Sequence, residues 1–265
     1  MKFICPKCSS PLAVCEDGAA KCNNNHSYDR ARAGYYNLLL GSAAGTHGDN
    51  REMLDARRAF LDTGAYRPLA DAVSELCVKY ASLGSILDVG CGEGYYTDII
   101  ERSCRADISA FDISRDAVKL AHRRNPRISL AVASAYKVPV ADESFDLVLN
   151  MFSPLAIGEI YRSLRKEGVF VMAIPGEEHL FGLKAATYNT PYKNEVHSKE
   201  LSGFELISDK RVRYKMHLTS SADISALFMM TPYAYRTGRE ERERVLSLTE
   251  LRTEADFYVL AYRKL

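Results

Sequence analysis

The chain has 265 residues, 47% of them hydrophobic and 26% charged, with a formal net charge of +1. That length can bury one full core and a small appendage, and the near-neutral balance excludes a global field for nucleic acid, so such a partner has to be held by local basic patches. No apolar run reaches the length of a membrane span and residues 1–10 lack the apolar core of a signal peptide, so a cytoplasmic protein with no membrane partner is expected.

The N-terminal segment carries the first motif. Cys5-Pro-Lys-Cys8 is followed by Cys22-Asn-Asn-Asn-His26, a C-x2-C and a C-x3-H pair. Two close pairs of thiol and imidazole donors satisfy tetrahedral Zn2+, and a closed set of four leaves no open position, so a structural metal is expected. Glu16-Asp17-Gly18 lies between the short runs 11–15 and 19–22 and predicts a hairpin that brings the pairs together. Cys15 stands outside either pair at the hairpin's end, so His26 is the expected fourth ligand. So short a segment scarcely folds without a staple. Lys7, Lys21, Arg30 and Arg32 make nucleic acid the natural partner, although as charges alone they serve equally as a solvated face.

Residues 41–50 hold three glycines and no apolar periodicity, and read as a flexible linker between residues 1–40 and a second unit over 51–265. Residues 51–61 have helical spacing. Arg57 and Arg58 on that helix either grip phosphates or pair with Glu52, Asp55 or Asp62. Tyr66 precedes Pro68 and by itself reads as a packing aromatic, and Leu69, Val73, Leu76 and Tyr80 mark a second helix ending near Gly84.

Ser85-Ile-Leu-Asp-Val-Gly-Cys-Gly-Glu-Gly-Tyr-Tyr-Thr97 is the centre of the chain. Ile86, Leu87 and Val89 form a buried strand, and Gly90, Gly92 and Gly94 break it into a tight turn and a helix start. The glycines leave the main chain bare for a ligand. A dinucleotide site needs G-x-G-x-x-G; here the pattern is Asp-x-Gly-x-Gly-x-Gly, and the Asp88 carboxylate suits an ammonium better than a phosphate. The stretch resembles motif I of the Rossmann-like S-adenosylmethionine-dependent methyltransferases, which implies that cofactor, with Glu93 near its methionine part.

Strands and helices then alternate. A strand over 108–113 ends in Asp112, where a doubly wound fold puts an acid on the ribose hydroxyls, while Ser114 is free to cap the next helix. A helix over 117–124 and a strand over 128–133 lead to Ser134. Many methyltransferases carry an acid for the adenine amino group at the position of Ala133, so Ser134 and backbone groups are expected to hold adenine. The strand over 146–150 ends at Asn150-Met-Phe-Ser-Pro154, where Phe152 either stacks on a flipped base or packs at the strand end. A helix over 157–164 stopped by Gly168, a strand over 169–174, and His179 just beyond that strand's carboxyl end follow. The loop over 188–197 is polar and aromatic, suited to RNA contacts. Two last strands over 204–218 and 255–262 are expected, one of them antiparallel, with the basic run 210–215 on a solvated edge.

The zinc pairs, His26-Ser-Tyr-Asp, Gly34-Tyr-Tyr-Asn-Leu-Leu39, the arginine helix with Gly64 and Tyr66, motif I, Pro175-Gly176, His179-Leu180 and Met230-Thr-Pro-Tyr233 together resemble the bacterial 23S ribosomal RNA guanine-N1 methyltransferases. The likeness covers nearly the whole chain. It implies an α/β fold, a Rossmann-like seven-stranded sheet with a small zinc-binding module, and a cofactor pocket that includes Tyr66 and His179. It also implies a 23S ribosomal RNA hairpin as partner and a homodimer. The sequence identifies no catalytic base. A small-molecule methyltransferase of the quinone or phenol type would need no zinc ribbon, and a non-catalytic RNA-binding protein would not keep Asp88, Gly90, Gly92 and Asp112 together.

Overall fold

The computed structural model describes residues 2–40, 48–196 and 198–265; residues 41–47 of the expected linker, His47 among them, and His197 lie outside the described residues. At the N-terminus, Ala13–Val14 (β1), Ala20–Lys21 (β2) and Ser27–Tyr28 (β3) form a three-stranded antiparallel sheet. The expected hairpin is closed by the Cys15 N–H donating to the Ala19 carbonyl and the Gly18 N–H to the Cys15 carbonyl. Gly18 takes φ +80°, a conformation that costs glycine little.

Tyr36–Asn37 (β4) then leaves this small sheet and joins the main one. In chain order follow helix α1 (Arg51–Asp62), α2 (Arg67–Ala81), β5 (Ser85–Val89), α3 (Tyr95–Ser103), β6 (Asp107–Asp112), α4 (Arg115–Arg124), β7 (Ser129–Val132) and β8 (Phe145–Met151). The second half runs α5 (Ile157–Ser163), β9 (Leu164–Pro175), α6 (Phe181–Thr187), β10 (Phe204–Leu218), α7 (Ser221–Met229), α8 (Tyr233–Arg236), α9 (Arg239–Leu246) and β11 (Leu251–Lys264). The sheet order is β10-β11-β9-β8-β5-β6-β7-β4, so it has eight strands where seven were expected. The extra one is β4, whose two residues are too few to show a period in the sequence. β11 runs antiparallel to both neighbours, and β5 lies at the switch point between β6 and β8. In such open sheets ligands bind beyond the carboxyl ends of the strands at that point.

Helix starts follow the capping residues in the sequence. The Asn50 side chain accepts the Met53 N–H at 2.8 Å, and Ser114 accepts the Ala117 N–H at 3.3 Å. α5 stops at Ser163, one residue short of the expected 157–164, and well before Gly168, the residue read as its stop signal. Glu143 and Ser144 donate their N–H groups to the Arg162 and Ser163 carbonyls, which draws the end of the helix into the sheet. The chain bulges before Val169 comes into register with Leu147.

Side chains alternate across the pleat. Ile86, Ala110, Leu130 and Leu147 face one side with Leu69 and Val73 of α2 and Val118 of α4. Leu87, Phe111, Ala131 and Val148 face the other, where Phe3, Leu12, Tyr36 and Leu38 of the N-terminal segment cover them together with Ile160 of α5. The Ile4 N–H donates to the Pro139 carbonyl, and Phe3 bridges Val140. The N-terminal module is therefore one of the covering layers of the sheet. Burying each large apolar side chain there stabilises the contact by about 1.5–3 kcal/mol.

Candidate active site

A cavity of about 1500 Å³ opens over the carboxyl ends of β5, β6, β7 and β8. Tyr66, Asp88, Gly90, Gly92, Glu93, Asp112, Ser134 and His179 all line it; among the expected cofactor residues, Gly94 does not. The three glycines have distinct jobs. All take positive φ, +78°, +55° and +84° in chain order. A Cβ at Gly90 would strike Ser153, and one at Gly94 would press on Ala121 of α4 at 3.0 Å, so these two allow close packing. Gly92 has only the Arg57 guanidinium within 4 Å, at 3.8 Å, and is the bare main chain that faces the cavity. The Gly90 and Cys91 N–H groups both donate to the Phe111 carbonyl, at 2.9 and 3.0 Å.

Asp112 clips this turn to the next one. Its Oδ2 accepts the Gly92 N–H at 2.9 Å and its Oδ1 the Ser114 N–H at 2.8 Å, and each oxygen keeps a lone pair. Asp88 is 1% exposed; its Oδ2 accepts the Thr97 hydroxyl at 2.6 Å, while its buried Oδ1 has no partner among the described residues. Burial pushes the Asp88 carboxyl up to about 7, against the lowering effect of the Thr97 hydroxyl. Glu93 is held through Oε2 by Arg124, which also reaches Asp62 of α1, each at 2.8 Å. Its Oε1 is buried without a partner among the described residues, and burial raises its pKa although Arg124 opposes the shift. Two unpartnered carboxylate oxygens beside a bare glycine turn suit a cationic ligand without phosphate, which S-adenosylmethionine is. If a cation sits beside Asp88, its affinity should rise with pH between about 5.5 and 7, by up to about tenfold per unit, as the carboxylate ionises. Calorimetric titration across that range checks this, and a flat profile would count against it.

On the other wall, the Asp256 N–H donates to His179 Nδ1 at 3.4 Å, which leaves the proton on Nε2, 3.5 Å from the Tyr66 hydroxyl. Burial pushes His179 down to about 3, so the ring stays neutral. Phe257 lies 4.3 Å from the His179 ring and 5.2 Å from that of Tyr66. Phe152 is half exposed, sits at φ +63°, and turns its ring toward Tyr96 and Phe257, at 6.3 and 5.7 Å. A left-handed phenylalanine costs of order 1–3 kcal/mol, which the surroundings have to offset. Of the two sequence readings of Phe152, the buried strand-end aromatic does not match this exposure.

Several cavity residues carried no clear signal in the sequence. Gly48, Asp49 and Asn50, read as linker, line it, as do Asn37 and Leu39 from the N-terminal module and Phe257 from the last strand. Arg57 lines it too and pairs with Asp49, while Arg58 pairs with Asp62, the helix-face option. Met230 to Tyr233 and Asn194 complete the wall; the former were visible only as a motif without a place.

The second site lies in the small sheet. The ligand atoms of Cys5, Cys8, Cys22 and His26 all lie within 4.8 Å of one another, and Cys15 is not among them. Cys5 Sγ and Cys22 Sγ stand 3.3 and 3.5 Å from His26 Nδ1, and Cys8 Sγ is 3.6 Å from Cys22 Sγ. Bonds of about 2.3 Å to sulfur and 2.0 Å to nitrogen at tetrahedral angles give edges of ~3.5–3.8 Å, close to the three distances above, so the donor set suits Zn2+. The Tyr28 hydroxyl, 3.2 Å from Cys5 Sγ, supports the set from outside.

Residues 87–172 match a family model described as a methyltransferase domain, and residues 3–40 match a zinc-ribbon model described as RlmA, N-terminal. A 23S rRNA (guanine(748)-N(1))-methyltransferase of Streptomyces fradiae is 31% identical over 249 residues, which span 91% of this chain and 88% of that one. A Micromonospora griseorubida protein that provisionally bears the name 23S rRNA (guanine-N(1)-)-methyltransferase is 30% identical, over 93% of this chain and 91% of its own. A solved structure of a provisionally assigned methyltransferase from Bacillus halodurans superimposes with a TM-score of 0.51 at 16% identity, covering 74% of this chain and 98% of that one, a likeness of fold.

Proposed function

This chain belongs to the 23S rRNA (guanine-N1)-methyltransferase family, and from that premise we propose that it transfers a methyl group from S-adenosylmethionine to N1 of a guanine in a hairpin loop of 23S ribosomal RNA. The observation that carries the reading is the cavity itself. Orphaned carboxylate oxygens and a bare glycine turn occur in the same space as an open cluster of aromatic rings, so a sulfonium compound and a planar base can meet there.

S-adenosylmethionine supplies an electrophilic methyl group. The displacement needs no covalent enzyme group, so the work of the chain is positioning and electrostatics. Asp88 and Glu93 offer negative charge to the cation, Gly92 admits it to the main chain, and Asp112 has lone pairs left for ribose hydroxyls. Phe152, packed against Tyr96 and Phe257, presents an exposed aromatic face on which an extruded base would stack. His179, kept neutral by burial, adds no positive charge beside the sulfonium. Cys5, Cys8, Cys22 and His26 would hold a structural zinc, which would fix the ribbon. On it Lys7, Arg30 and Arg32 are exposed and, among the described residues, free of acidic partners, whereas Lys21 is paired with Asp17. We infer that these side chains meet RNA phosphates.

The test is to incubate the protein and labelled cofactor with 23S ribosomal RNA from cells lacking the enzyme and to map the label. Methylation at guanine N1 in one hairpin loop is expected, and label confined to small metabolites would overturn the reading. The family resemblance also leads us to infer a cytoplasmic homodimer. Sedimentation at a single chain's mass would remove the dimer. No helix among the described residues is long and apolar enough to cross a membrane.

A further inference from the structure

The cofactor end of the cavity has a wall that the methyltransferase domain does not supply. Val132 of β7 is paired on one side with Asp112 of β6 and on the other with Asn37 of β4, so the three residues form one row across three parallel strands. Residues paired across a parallel sheet point to the same face, and strand spacings of about 4.8 Å put Asn37 ~10 Å from Asp112, comparable with the length of an adenosine. Tyr36, on the opposite face, is buried with Phe111 and Ala131, which fixes Asn37 toward the cavity that it lines. The next residue along β7 is Ala133, which has no polar side chain, and the Ser134 hydroxyl already accepts the Tyr136 N–H at 3.2 Å.

Resting on the assignment of S-adenosylmethionine to this cavity, we propose that Asn37, from the tail of the zinc ribbon, recognises the adenine of the cofactor. A side-chain amide complements the adenine edge: its oxygen accepts from the 6-amino group and its NH2 donates to a ring nitrogen. The Leu39 N–H donates to Asn37 Oδ1 at 3.3 Å, which sets which end of the amide is oxygen and leaves it a second lone pair. Asn37 is exposed, and its NH2 has no partner among the described residues. The ribbon thus completes the cofactor pocket as well as presenting charge to RNA.

The test compares S-adenosylhomocysteine with its analogue lacking the 6-amino group, by calorimetric titration of the full chain. The unaltered protein should prefer the amino compound by about tenfold, the worth of one good hydrogen bond. Asn37→Ala should bind both compounds alike, and more weakly than the unaltered protein binds the deaminated one, because the bond from the amide NH2 to the ring nitrogen is lost as well. If Asn37→Ala keeps the preference, or the unaltered protein has none, Asn37 does not read adenine. If neither compound binds the unaltered protein, the cofactor assignment falls and this inference with it.

Discussion

Asp88→Asn should weaken S-adenosylmethionine binding by about 100-fold at pH 8, the cost of removing one charge from a buried, hydrogen-bonded pair. The pH dependence of binding below 7 should vanish with it. The same change should raise the melting temperature of the cofactor-free protein. The Asp88 carboxyl is raised by burial from its ordinary value of 3.8 to about 7, so the folded chain holds a proton that the unfolded chain has lost. Stability from this group is therefore present in acid and is lost as pH rises through about 4 to 7; at pH 8 the ionised group opposes folding. An amide has no charge to desolvate and can still accept the Thr97 hydroxyl. Tighter folding with weaker binding marks a group kept for its ligand. Thermal unfolding and calorimetry on the same sample decide it, and a variant that loses both stability and binding would show that Asp88 is only structural.

Cys8→Ser is the second large effect. A structural zinc contributes about 10–16 kcal/mol to folding its module, so the ribbon should lose both metal and order. Phe3, Leu12, Tyr36 and Leu38 would then leave the face of the sheet formed by Leu87, Phe111 and Val148. Methylation of 23S ribosomal RNA should fall by more than about 100-fold, and the melting temperature of the whole chain should drop by several degrees, since about 4 °C or less accompanies each kcal/mol in a chain of this size. Cofactor affinity should fall too, because Asn37 and Leu39 wall the cavity. Metal analysis, thermal unfolding and the RNA assay check this together. Zinc absent with melting temperature and methylation unchanged would refute it.

Much of this was legible because it depends on local pattern. The run Ile86, Leu87, Val89 followed by alternate glycines dictates strand, turn and helix, and the two cysteine pairs dictate a metal cluster. Asp112 and His179 could be placed because a doubly wound sheet gathers its strand ends on one side. Other features depend on tertiary pairing that leaves no mark in the sequence. β4 is two residues long and joins the sheet only because Ala131 and Val132 present a free edge to it. The stop of α5 at Ser163 is set by Glu143 and Ser144, far from any helix breaker. The positive φ of Phe152 belongs to a residue type that does not advertise it. The ribbon read as an appendage because charge and cysteine content describe its surface and its metal, whereas its contact with the sheet rests on a few scattered apolar residues.

The placement of β11 between β9 and β10 has a consequence for biosynthesis. Among the described residues β10 has no other neighbour, and β9 has none on that flank, until β11 is made. While the ribosome still holds that strand, the nascent chain carries a fifteen-residue ribbon and an open sheet edge with nothing to saturate them. Closure of the sheet is thus deferred until β11 has been synthesised, and any factor that shields unfinished β-structure would act in that interval.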